Sequence, residues 1–170
     1  MTAEWLSAGA TAGSFVVTFG ALLFARQQIT AARENNDAQI ADTDARERRQ
    51  RVDQYLARLN HVEFLPLVAA ASDLLNTEPL ERAEALRAWL AGESVDRLRT
   101  LAFLNFFEEV AGQYNAGMLD AGAANRELVP TAVHYWEIGG WFIGRLKAEQ
   151  PRAFDEWETM VNALRLAELG

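Results

Sequence analysis

The chain contains no cysteine, which excludes a disulfide framework and fits a reducing compartment. Only four prolines interrupt its 170 residues. No run alternates polar and apolar positions between turn signals, so no strand is expected and the fold class reads as all-α. No basic stripe offsets a formal net charge of −8, which argues against nucleic acid as a partner and against general attraction to anionic lipid. The sequence also lacks an H-E-x-x-H pair, a Walker loop, a nucleophile elbow and a G-x-G-x-x-G turn. Without them no reaction is assigned, and neither a cofactor nor a metal is expected.

Charge itself is missing from residues 5–25 (WLSAGATAGSFVVTFGALLFA), a run of about 21 positions, enough to span the ~30 Å hydrocarbon core as one helix. A single-pass transmembrane helix is the leading expectation, with a buried core helix and a cleaved signal as rivals. Against the signal, Glu4 is the only charge before the run, the apolar stretch is too long for an h-region, and Phe24-Ala25-Arg26 is a poor cleavage site. Arg26 and Arg33 follow the run, so the positive-inside rule puts the N-terminus outside and the rest of the chain in the cytoplasm, on the inner (plasma) membrane. Gly9 and Gly13, flanked by Ala8 and Ala12, stand at the G-x-x-x-G spacing that lets two helices approach closely and points to a homo-oligomer. Glycine and alanine are common in such helices in any case.

Large apolar residues are nearly absent from the next segment, RQQITAARENNDAQIADTDARERRQR at residues 26–51. It cannot form a core, and its lack of glycine and proline favours an exposed helical stalk. A faint heptad sets Ala38, Ala45, Val52 and Leu59 at one seam position and Ala41, Arg48, Tyr55 and Val62 at the other, so a short coiled coil is a further expectation. Arg46, Arg48, Arg49 and Arg51 are neutralised by Asp42, Asp44, Glu47 and Asp53 and read as a solvated face. The expected organisation is an anchor at 1–26, a polar stalk at 27–51 and a cytoplasmic bundle of about five helices at 52–170.

Half of the residues are hydrophobic, with five Trp and nine Phe, which is ample material for one core. Val52, Tyr55, Leu56 and Leu59 open that domain, and Pro66 is expected to kink its first helix. Residues 80–91 form a short helix burying Ala83, Leu86 and Leu90, and residues 94–114 a central helix that is apolar almost all round and ends at Gly117. Residues 131–149 form the next long helix. A last one follows Pro151, with Phe154, Trp157, Met160, Val161 and Leu164 on one face.

Two of these segments, LNFFEEVAGQYNAGMLD at residues 104–120 and FIGRLKAEQPRAFDEWETMV at residues 142–161, resemble the bacterial family catalogued as domain of unknown function 4760. The resemblance extends to the order of parts: a membrane helix, a polar stalk, an asparagine and glutamate pair on a central helix, then an arginine and an aromatic helix. It implies an all-helical, membrane-tethered domain and carries no established activity.

Within these helices one polar set stands out: Asn105, Glu108, Glu109, His134 and Arg145. At ~100° per residue, Asn105 and Glu109 share a stripe with Leu98, Ala102 and Phe106, expected to face other helices. His134, Ile138, Trp141 and Arg145 share a face of the later helix. A carboxylate removed from water needs a partner, so a buried Glu109–Arg145 pair is expected, with Asn105 bridging and Glu108 at the bundle edge. The order His-x-x-Glu, occurring once, differs from the repeated Glu-x-x-His of di-iron bundles. His61 reads as a local hydrogen-bonding residue. Three functional classes follow: a non-enzymatic module for an unknown protein partner, a membrane-associated enzyme or ligand-responsive effector using the polar set, and a small oligomeric membrane or superinfection-exclusion type protein.

Overall fold

Long helix-forming stretches punctuated by proline and glycine make most of the described residues helical. The structure, a computed structural model, describes the backbone of residues 3–92 and 95–168 and the side chains of residues 28, 30–92 and 95–167. Among the described residues there is no strand. The helices are α1 (Ala3–Leu59), α2 (Leu65–Leu75), α3 (Arg82–Ala91), α4 (Val95–Asn115), α5 (Ala121–Glu127), α6 (Val129–Glu149) and α7 (Asp155–Glu168), with a 3-10 turn at Val62–Phe64.

Two compact units divide the chain, Met1–Arg46 and Glu47–Gly170. In the first, the backbone of α1 is helical through the charge-free run, whose side chains, those of Gly9 and Gly13 included, lie outside the described residues. Among the described residues no helix is long and apolar enough to cross a membrane. Residues 30–46 are exposed throughout, as their composition requires, and are stitched locally by an Arg46–Asp42 pair at 2.6 Å and a Thr43 hydroxyl donating to the Gln39 carbonyl at 2.8 Å.

The second unit is built on α4. Phe103, Leu104, Phe106, Phe107, Val110 and Ala111 are buried along it, α2 and α7 pack on it, and α6 closes the core against α2 and α7. Aromatic rings supply much of that core: Phe107 stacks on Trp157 at 5.1 Å, and Tyr135 meets Phe103 edge-on at 4.6 Å. The Trp157 indole N–H donates to the Ala132 carbonyl at 3.2 Å, so this fully buried side chain leaves no polar atom unmet. Helix α4 stops where Gly117 adopts φ +67°: the Met118 N–H donates to the Gln113 carbonyl at 2.9 Å and the Gly117 N–H to that of Tyr114 at 3.0 Å, a Schellman motif.

Several expectations are corrected here. Pro66 does not kink a helix. The chain turns after Leu59, the His61 ring nitrogen accepts from the Glu63 N–H at 3.4 Å, and α2 begins afresh with Pro66 in its first turn, where a missing N–H costs nothing. Helix α3 leaves Ala83 and Leu90 exposed, because it rolls to place Trp89 edge-on against Phe142 at 4.9 Å, a larger apolar gain. The lower heptad positions belong to the domain's own core: Val52 is fully buried and Leu59 half-buried. The arginine cluster is more than a solvated face. Arg49 pairs with Glu127 at 3.0 Å, Arg51 donates to the Met118 carbonyl at 2.9 Å, and the Arg48 carbonyl accepts from the Asp120 N–H at 3.4 Å.

Candidate functional site

Helix α4 places Asn105 and Glu109 on one outward stripe with Glu108 to the side of it, and α6 carries His134 and Arg145. The expected Glu109–Arg145 pair does not form. Glu109 accepts from the Tyr55 hydroxyl at 2.9 Å and from Arg58 at 3.1 Å, which ties α1 to α4, whereas Arg145 meets Glu149 one turn along its own helix at 3.5 Å. Neither is buried, with side chains 51% and 54% exposed, respectively. The reason lies in α4 itself, which is apolar on nearly every side, so periodicity does not single out its inner face. Phe103 and Phe107 bury more area and take the core, and the stripe of Leu98, Ala102, Asn105 and Glu109 turns outward. His134 is exposed, its ring 5.3 Å from that of Tyr135.

Around Glu109 the charges are tightly arranged. The Arg58 guanidinium lies 5.2 Å over the Phe106 ring. Burial first, and then the hydrogen bond and negative charge of Glu109, push the Tyr55 phenol up to about 12.

Glu108 has a role that periodicity left open. Its carboxylate accepts from the backbone N–H groups of Glu156 at 3.1 Å and Trp157 at 2.9 Å, capping α7 from a different helix. The preceding residue, Phe154, has φ +60° and no side-chain acceptor, so it cannot supply the cap itself. The Asn115 amide adds hydrogen bonds to the Glu156 carbonyl and carboxylate at 2.9 and 2.7 Å. Lys147, the single lysine of the chain, clamps Asp155 at 2.6 Å and Glu158 at 2.8 Å. Burial lowers its pKa, but the two carboxylates outweigh that and the net shift is upward.

Glu108 and Asn105 open onto one cleft of about 480 Å³ between α3, α4 and the α6–α7 connection. Of the five polar residues singled out in the sequence, these two come together; Glu109, His134 and Arg145 do not join them. The cleft adds residues that periodicity did not point to: Arg97, whose guanidinium lies 4.9 Å over the Trp89 ring, and Arg152. The Gln150-Pro151-Arg152 break between two helices was the available signal for Arg152, because it lifts a cation onto a loop. Leu101 and Phe154 supply apolar wall. Among the described residues the lining holds no serine, threonine or histidine, and no group of three metal-ligating side chains occurs.

Comparison of the chain with protein-family models, with curated proteins and with solved structures finds no match.

Proposed function

We propose that this protein is a membrane-tethered, non-enzymatic helical module that docks a protein partner on the outward face of α4. The observation that carries the docking surface is the exposure of Val95 and Leu98, 60% and 69%, one turn apart on a helix whose opposite side is the centre of the core. Ala102, Asn105 and Glu109 continue the same face, which thus grades from apolar to polar as interaction surfaces do. Tethering is supported by the charge-free run at residues 5–25 with arginines after it, giving a single-pass protein with its helical domain in the cytoplasm. The resemblance of residues 104–120 and 142–161 to domain of unknown function 4760 agrees with that layout. Self-association through Gly9 and Gly13 is the companion proposal for the span.

Two measurements test it. The full-length chain should remain with membranes through an alkaline wash, and removal of residues 1–26 should release it; a full-length chain that is soluble without detergent sinks the tether. In intact membranes, a photo-crosslinker at position 98 should trap one discrete species that Val95→Asp removes, while the same group at the exposed Ala163 traps none. Val95→Asp should shift stability by no more than about 0.5 kcal/mol, as at other surface sites. Equal crosslinking at both positions, or no effect of Val95→Asp, overturns the docking face.

A further inference from the structure

The cleft beside Glu108 has the size and chemistry of a small-molecule site. Its volume of about 480 Å³ falls in the usual range for ligand pockets of ~300–1,000 Å³. Its charges are not equally engaged. Glu108 is committed to the N-terminus of α7, Glu149 to Arg145, and Arg97 to the face of Trp89. Arg152 lines the same cleft and forms no ion pair, hydrogen bond or ring contact among the described residues, nor does the Asn105 amide. A guanidinium fork and an amide donor lining one cleft match a planar oxyanion. The nearby Glu108 and Glu149 oppose a second negative charge, which selects a monoanion over a phosphate dianion. Trp89, Leu101, Leu146 and Phe154 offer an apolar wall for a flat or branched body.

We propose that this cleft binds a small organic monocarboxylate, its carboxylate on Arg152 and Asn105 and its apolar body against Trp89, Leu101 and Phe154. Asn105 borders the outward face of α4 that carries the docking proposal, but Arg152, Trp89 and Phe154 lie outside that face, so the Arg152 and Val95 variants test the two proposals separately. Because Phe154 leads directly into α7, an occupied cleft also braces that helix, and ligand binding should raise the melting temperature.

The test uses the full chain in detergent and titration calorimetry with phenylacetate. Two probes share its ring: 2-phenylethanol, which lacks the charge, and phenyl phosphate, which doubles it. Phenylacetate should bind saturably, and both other probes at least about tenfold more weakly, the ratio expected when a charged hydrogen-bonded contact is lost or opposed. Arg152→Gln should weaken phenylacetate by a similar factor at an unchanged ligand-free melting temperature, since Arg152 is exposed and has no partner among the described residues. Arg152→Lys should recover part of the loss. No saturable binding of phenylacetate up to about 10 mM, equal binding to Arg152→Gln, or tighter binding of either control probe overturns the proposal.

Discussion

At the scale of single residues, the chain uses polar side chains to fasten helices, and Tyr55 is the clearest case. Its phenol is held in the neutral form by burial and by its hydrogen bond to the Glu109 carboxylate, so its folded pKa of about 12 stands above the ordinary value of 10.0. A raised pKa means that the folded state holds the proton more tightly than the unfolded one. The resulting stability is fully present below pH 10 and is lost as the pH climbs through about 12. A phenolate absorbance titration, taken as the difference between the natural chain and Tyr55→Phe, should show this ionisation about two units late. Glu109→Gln should move it only part of the way back, because burial is the largest cause and remains. A Tyr55 that titrates at its ordinary value would mean that the Tyr55–Glu109 bond is absent in solution.

At the scale of elements, α7 is the helix whose start is supplied from elsewhere. Its first turn carries Asp155, Glu156 and Glu158, which suit the positive end of a helix, yet its cap is the Glu108 carboxylate reaching across from α4. Glu108→Ala strands two N–H groups and should cost about 1–2 kcal/mol, a fall of roughly 3–10 °C in melting temperature for a domain of this size. Glu108→Gln retains an acceptor oxygen and should cost less. Arg145→Ala, which breaks only an exposed pair within α6, should stay within about 0.5 kcal/mol. Thermal unfolding of the three variants checks the order; equal effects of Glu108→Ala and Arg145→Ala would remove the cap from the account.

At the scale of the whole molecule, the boundary of the folded unit falls before Glu47, five residues ahead of where Val52, the first buried apolar side chain among the described residues, would put it. The Arg49–Glu127 pair and the hydrogen bonds of Arg48 and Arg51 to the segment before α5 lie in that interval. A fragment of residues 47–170 should therefore unfold at higher denaturant than one of residues 52–170, by about 1–2 kcal/mol, with most of the difference coming from the two backbone-directed bonds and little from the exposed pair. Coincident denaturation curves would place the boundary at residue 52 after all.

Helix content, the stop at Gly117, the start of α6 within two residues of position 131 and the buried face of α7 were legible from local signals, because each depends on a residue's own backbone preference or on a period of 3.6 within one element. Phe154, Trp157, Met160 and Val161 are buried as their spacing requires. For the candidate site the sequence marked Asn105 and Glu108 as unusual but assigned Glu109 the wrong partner. A helix apolar on nearly every side has no intrinsic inner face; only packing against α2 and α7 chose one, and that choice turned Glu109 toward Arg58. The capping role of Glu108, and the cleft it shares with Arg152, depend on distances between residues more than forty positions apart. Such separations are decided by how helices stack, since burying the largest aromatic area sets the rotation of each helix and the polar side chains then pair with whatever that rotation brings near.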